Sequence, residues 1–434
     1  MKALLRRLAR PRASHQERES GTEPRIAVNA NLDPNAAGGV QTNLLAHVRG
    51  LLAHPTGCRI HLIGTSAPLK AWRQITSDRM DQSIWPFPLN WYIPEAEKTK
   101  RLSTSALDWY ARPADDRRQK IDRELDALNI DVVHFAHQVY FETSRPCIYE
   151  PWDLQHEHFP DFFSPEELAW RRDYYRNGCA QAHLIVTATA WTKSDLVARY
   201  GLDPNKIAVI YRDSHNVRAA PGETDRRRLL GQLGVSEGYA LYPAATYVHK
   251  NHIGALRALA HLRDVHGLTV PLVCSGKLIE PQKSALERAI AELGLGAQIR
   301  LLGAVSDEQL AALYSGARFL FFPSLFEGLG LPVLEAFHHR LPVIAAASAC
   351  LPEVIGDAGL LFDGHAPDSA SDALRTFLTT PDLAPRLAAA GTKRLALFDW
   401  GIAAPTYQAA YKKLAGRTLT IDEAELLDKA LAAA

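Results

Sequence analysis

The sequence predicts an α/β protein built from two doubly wound, Rossmann-like domains with a cleft between them. Short apolar segments alternate with helical segments along most of the chain, the pattern of a parallel sheet covered by helices. The alternation runs through twice, interrupted by a polar stretch with Pro and Gly at residues 212–223. A length of 434 residues is natural for two such domains.

Each element has its own signal. RIAVNAN (25–31) is a short strand ending in polar residues, followed by a Gly38-Gly39 turn and the helical pattern VQTNLLAHVRGLLA. CRIHLIG is the next strand. KIDRELDALNI is helical and DVVHFAH is a strand. Helical PEELAWRRDYYRNGCAQA precedes the strand HLIVTAT. TKSDLVARYG reads as a helix with Thr192 as its N-cap and Gly201 at its end, and KIAVIYR closes the first set. The second set alternates strands GYALYPAAT, VPLVCSG, IRLLG, RFLFFPS and PVIAAA with helices KNHIGALRALAHLRDVHG, KSALERAIAELG, SDEQLAALYSGA and LPVLEAFHHR. The predicted domains are 25–211 and 223–395, with a basic tail over 1–24 and a C-terminal tail over 416–434. Ligands of such sheets bind at the carboxyl ends of the strands, here in the cleft between the halves.

Composition narrows the function. Apolar residues make up 47% and charged residues 22%, a globular mix, and the formal net charge of +1 gives no global footprint for nucleic acid. Five scattered cysteines without a CxxC pair argue against a disulfide framework or a zinc knuckle and fit a reducing cytosol. No apolar run reaches the length of a membrane span. The basic start MKALLRRLARPRASHQ, with Leu4, Leu5 and Leu8 on one helical face, fits either a disordered tail or peripheral contact with an anionic membrane surface.

The chemistry concentrates in FEGLGLPVLEAF, residues 326–337. The buried-type strand RFLFFPS feeds this stretch, and Pro332 fits the first position of a helix. Free amides and the dipole at that helix start make an anion site, and glycines let an anion approach the backbone. Glu327 lies on the loop and Glu335 about one turn into the helix. Carboxylates repel phosphate but accept paired hydrogen bonds from a diol. Phosphate on the amides and sugars on the acids spell a sugar nucleotide. The alternative is that both acids only complement the helix dipole.

PSLFEGLGLPVLEAFHHRLPVIAA, followed by LPEVIGDAGLLFD with its Pro352-Glu353, resembles the family 4 (group 1) glycosyltransferases of the GT-B fold. Their signature is a pair of glutamates with seven residues between, matched by Glu327 and Glu335. The resemblance covers most of residues 25–415. FDWGIAAPTYQAAYKKL is similar to the family's last helix, which implies that 398–415 crosses back onto the first domain. The resemblance further implies a role for each matched residue. Glu327 would bind the donor sugar's hydroxyls near the reacting carbon, and Glu335 the ribose diol. The backbone at Gly328, Gly330 and Leu331 would hold the diphosphate. Lys250 matches the family's diphosphate lysine, Gly38 and Gly39 its N-terminal glycine loop, and Val305 the segment whose backbone meets the nucleobase.

Two positions depart from the family. An arginine is common six residues before the lysine, but Ala244 stands there, with Thr246 nearby; Lys277 or Arg212 is the alternative second cation. Relatives also place a His-Asp pair after a strand of the first domain, where this chain has Trp152-Asp153. His156 is the first candidate for the acceptor-side group and Asp153 the second. His156 and His158 also have HxH spacing, but no third ligand accompanies them and no metal is expected. No Asp-x-Asp occurs, which agrees with a metal-independent leaving group. The aromatics of SIWPFPLNWYIP fit acceptor stacking, a lipid interface or core packing.

The expected activity is retaining transfer of a mannose- or glucose-type hexose from a nucleotide-diphosphate sugar to a glycan or lipid-linked saccharide, in the cytoplasm or at the inner face of the membrane. No cofactor is expected beyond the donor substrate. Two alternatives stand: a GT-B epimerase or phosphorylase, and an idle member that binds glycans or partners.

Overall fold

The computed structural model describes residues 23–33, 39–54, 57–76, 80–85, 87, 104–214 and 217–433. Gly38, the basic start and the later part of SIWPFPLNWYIP lie outside them, and of Gly39 only the backbone is described.

Two parallel sheets organise the chain. The first has seven strands: β1 (Arg25–Asn29), β2 (Arg59–Gly64), β3 (Asp81–Ile84), β4 (Val132–Phe135), β5 (Cys147–Tyr149), β6 (Leu184–Thr187) and β7 (Ile207–Val209), in the order β3-β2-β1-β4-β5-β6-β7. The second has six: β8 (Ala240–Pro243), β9 (Leu272–Ser275), β10 (Ile299–Leu301), β11 (Phe319–Phe322), β12 (Val343–Ala346) and β13 (Gly359–Phe362), in the order β10-β9-β8-β11-β12-β13. Central strands such as FLFF and VIAA are buried at every residue, because helices cover both faces of a parallel sheet. The predicted two-domain, doubly wound α/β class is what forms.

Three strands escape the sequence reading. β3 is DQSI, polar and half-buried at an edge. β5 is three residues long, and β13 is an edge strand with only Phe362 buried. The helix after β6 begins earlier than expected. It spans Ala190–Tyr200 and is capped by Thr189, whose hydroxyl accepts from the Thr192 amide at 3.3 Å, so Thr192 is inside the helix.

Helix Trp400–Leu414 buries Trp400, Tyr407 and Tyr411 against Leu44, Val48 and Val132 of the first domain. Beyond it, the expected C-terminal tail over 416–434 is instead a helix, Ile421–Ala432. Thr420 and Glu423 close a capping box, Lys412 bonds Glu423 at 2.5 Å, and Leu427 and Ala430 are buried in the same core. Among the described residues no helix is long and apolar enough to cross a membrane.

Candidate active site

The strand order reverses where β8 and β11 lie side by side, and their carboxyl ends open into one crevice. The loop after β8 delivers Lys250 and the loop after β11 delivers Glu327. Their side chains meet there, Nζ to Oε1 at 2.6 Å, and both are mostly buried. Lys250 is held by its neighbours. The Tyr242 phenol donates to its carbonyl, and Asn251, in left-handed backbone at φ 56°, donates to the carbonyls of Pro323 and Gly364 at 3.2 and 2.9 Å. Asn251 also caps helix His252–His266, accepting from Gly254 N at 3.2 Å.

Beyond Glu327 the chain turns into helix Leu331–His338 through Gly330, at φ 78°, with Pro332 in the first turn. A Cβ at Gly330 would sit 2.8 Å from Leu351 Cδ2. Glu335 lies one turn in, and the buried Tyr314 donates to its Oε2 at 2.7 Å while stacking on His339. Burial pushes the Glu335 carboxyl above its ordinary range, against the Tyr314 bond, which pulls it down. His338, the next turn of the same helix, pairs with Asp213 of the segment joining the domains, and that bond raises its pKa.

The first domain closes onto the Glu327 turn. A Cβ on Gly328 would lie 2.6 Å from the Trp152 carbonyl oxygen and 3.3 Å from Asp153 Cβ, and Thr189 donates to the Gly328 carbonyl at 3.2 Å. Asp153 therefore adjoins Glu327 and Lys250. Burial raises its pKa, and the Glu327 charge adds to the rise. His156, the first acceptor-side candidate, turns away from the cleft. It is buried with Nε2 3.0 Å from the Tyr200 hydroxyl and its ring edge on Tyr175, and burial, with Arg171 next, lowers its pKa to about 3. The one-turn helix Gln155–His158 points this ring inward, so Asp153 displaces it as the acceptor-side candidate. His158 is held by Asp195 at 2.9 Å, and its ring packs near Phe326.

The remaining expected residues divide. The buried Thr246 hydroxyl accepts from the Ile279 amide at 2.7 Å and its amide donates to the Lys277 carbonyl at 3.0 Å, so Thr246 shapes the loop that carries Lys277. Lys277 is exposed at the end of β9, and Val305 is half-buried beyond β10. Arg212 departs from its expected place at the diphosphate. It is fully enclosed, donating to Glu150 Oε2 at 2.6 Å and to the Tyr407 hydroxyl at 2.8 Å. A cation so paired holds the first domain to helix Trp400–Leu414. Tyr314, Thr189 and Glu150 were not legible as site or support residues, because each is defined by a partner distant in sequence.

Two doubly wound domains meeting at a cleft, with Lys250, Glu327 and Glu335 at its floor, define the class as GT-B glycosyltransferase folds. The chain belongs to the group 1 glycosyltransferases: residues 37–212 match the model described as Glycosyltransferase Family 4, and residues 232–394 match Glycosyl transferases group 1. It is 29% identical over 260 residues to an O-antigen chain mannosyltransferase B of Escherichia coli, covering 59% of this chain and 67% of the relative. It is 31% identical over 255 residues to a D-inositol 3-phosphate glycosyltransferase of Streptomyces coelicolor, covering 54% and 55%. These matches thus span about half to two thirds of the relatives' own length. A glycosyltransferase crystal structure from Rickettsia africae superposes with a TM-score of 0.65 at 15% identity, covering 91% of this chain and 100% of that one. Anabaena HepE in complex with UDP and glucose superposes with a TM-score of 0.65 at 16% identity, covering 90% and 100%. Both likenesses concern the fold.

Proposed function

We propose that this protein transfers a hexose of mannose or glucose type from a nucleotide-diphosphate sugar to a glycan or lipid-linked saccharide, with retention and without a metal, in cell-surface polysaccharide synthesis. The observation that carries the reading is the convergence of Lys250 and Glu327 at the topological switch point, with Glu335 one turn into the adjoining helix. The relatives named mannosyltransferase and glycosyltransferase support the sugar-transfer class.

Each residue has a distinct task. Glu335, steadied by Tyr314, accepts from the ribose diol. Lys250 and the amides at the start of helix Leu331–His338 receive the diphosphate, whose negative charge grows as the bond to the sugar carbon breaks. Glu327 accepts from hydroxyls of the transferred sugar. The acceptor hydroxyl enters from the first domain, beside Asp153 and the Trp152 carbonyl. A bond forms between the acceptor oxygen and the sugar carbon, the carbon–phosphate-oxygen bond breaks, and the acceptor proton ends on the released nucleoside diphosphate. The setting is the cytoplasm, at the inner face of the membrane where lipid-linked acceptors are found.

A thermal-shift screen against UDP, GDP, ADP and their sugars tests this reading. One nucleotide series raises the melting temperature, and Glu327→Ala abolishes transfer from its sugar. Full turnover by Glu327→Ala, or no response to any nucleotide, would sink it.

A further inference from the structure

The Pro352-Glu353 segment has no part in the donor binding proposed, yet both oxygens of its carboxylate accept hydrogen bonds. Glu353 lies in the short helix Leu351–Ile355 of the second domain. Its Oε1 accepts from the Ala190 amide and its Oε2 from the Trp191 amide, each at 2.7 Å. Both amides open helix Ala190–Tyr200 of the first domain. The Tyr211 hydroxyl, at the end of the same domain, donates to Oε1 at 2.8 Å. Amides in the first turn of a helix have no partner within that helix, and a carboxylate there also meets the positive end of the dipole. One side chain thus supplies two of the missing acceptors of a helix in the opposite domain.

The support behind Glu353 is equally specific. Arg394 bonds the carbonyls of Glu353 and Val354, the second at 3.1 Å, so the short helix is tied to the body of the second domain. On the other side, the residue before the captured amides is Thr189, whose hydroxyl donates to the Gly328 carbonyl beside Glu327. Fastening Ala190 and Trp191 therefore also sets where Thr189, Trp152 and Asp153 stand against the Glu327 turn.

We propose that Glu353 is a positioning residue: it latches helix Ala190–Tyr200 onto the second domain and so holds the acceptor-side groups against the donor site in the geometry transfer requires. This rests on the reading of the Lys250–Glu327 crevice as the donor site. The groups proposed to hold the nucleoside diphosphate, Lys250, Glu335 and the start of helix Leu331–His338, all belong to the second domain, so loss of the latch leaves its affinity intact. Transfer needs both domains, and a displacement of about 1 Å between reacting groups lowers the rate about 10²-fold.

The experiment uses the full-length protein with Glu353→Gln, Glu353→Ala and, separately, Tyr211→Phe. Calorimetry measures UDP, GDP and ADP binding, a transfer assay measures turnover with the matching sugar nucleotide, and small-angle X-ray scattering measures the radius of gyration. Both Glu353 variants keep the parent's nucleotide affinity, lose turnover by about 10²-fold and show a larger radius of gyration. Tyr211→Phe, which removes one hydroxyl and leaves the carboxylate, shifts turnover and radius the same way by a smaller amount. It decides the matter if the Glu353 variants do not fold. Unchanged radius and turnover overturn the latch. Parallel loss of nucleotide affinity and turnover at unchanged radius also overturns it, placing Glu353 in the donor site instead. If the parent binds none of the three nucleotides, the donor-site reading falls, and the scattering comparison alone decides the latch.

Discussion

Lys250 and Glu327 hold one another at 2.6 Å, so a diphosphate arriving at the ammonium competes with the carboxylate. Glu327→Gln removes that competitor. Calorimetry should find nucleoside diphosphate bound more tightly by this variant, about fivefold for a pair worth roughly 1 kcal/mol, although transfer is lost. Lys250→Ala should weaken the same binding by about 10- to 100-fold, the worth of a charge-assisted hydrogen bond. Weaker nucleotide binding by Glu327→Gln would refute the competition. Glu335 adds a pH dependence. Its folded pKa is raised by burial, so its ionised form is disfavoured in the native protein, and any stability it contributes is lost as pH rises through that raised value. In the proposed function the ribose diol needs the ionised form. Donor affinity should therefore fall as pH drops through a value above the ordinary carboxylate range, while Glu335→Gln melts higher at neutral pH and binds donor poorly. A Glu335→Gln protein that melts lower would contradict the sign. The two glutamates were legible because their spacing around a strand, a turn and a helix start is local, whereas Lys250, 77 residues before Glu327, came only from the family resemblance. Tyr314, 21 residues before Glu335, was not legible, since nothing nearby in sequence marks a phenol as the partner of that acid.

Elements were legible where their patterning is local and strong, and were missed where burial is partial. Nine of the ten segments read as strands share buried, apolar cores; the tenth, IRLLG, forms the edge strand β10 and buries only Ile299. DQSI at β3 lacks that core because it sits at a sheet edge, beside His61 and Leu62 of β2. The cap of helix Ala190–Tyr200 was misplaced by three residues because both Thr189 and Thr192 have hydroxyls, and only backbone geometry chooses between them. Residues 416–434 looked like a tail because the stretch is short and charged. The capping box and the burial of Leu427 and Ala430 against helix Trp400–Leu414 make it a helix. The turn at Gly328 gives a prediction at this scale. A Cβ there lies 2.6 Å from a backbone carbonyl of the other domain, which a rotamer change cannot relieve. Gly328→Ala should cost about 1–3 kcal/mol of stability, as overpacking does, and should lower turnover more than it lowers nucleotide affinity. Denaturant melts beside a transfer assay check both parts, and a parent-like rate would show that Trp152 does not close on this turn.

At the scale of the whole molecule, a buried polar cluster ties helix Trp400–Leu414 to the first domain. Glu150 accepts from Arg212 at 2.6 Å and from Tyr407 at 2.7 Å and meets His134 at 3.0 Å, while His134 meets Tyr411 at 2.7 Å. Burial alone would raise the Glu150 pKa. Arg212 and His134 outweigh it and hold the carboxyl at about 2, below the ordinary 4.5. A depressed carboxylate contributes stability that is present above its ordinary pKa and lost as pH falls through the depressed one, here between 4.5 and about 2. Arg212→Met should destabilise the protein by about 3–5 kcal/mol by leaving Glu150 buried without its cation, and should flatten this acid limb. Denaturant melts across that pH range measure both effects; a variant as stable as the parent would show the pair to be dispensable.

The sequence by itself determined the fold class, the two-domain alternation and the placing of Glu327 and Glu335 on one turn and helix start, because strand and helix periodicity and the Glu327–Glu335 spacing are written in consecutive residues. Only the tertiary structure decided that Arg212 is a buried anchor, that His156 faces inward while Asp153 meets Glu327, and that Glu353 caps a helix of the opposite domain. Those outcomes depend on which partner each charged or polar group finds once it leaves water. That partner comes from strands and helices far away along the chain.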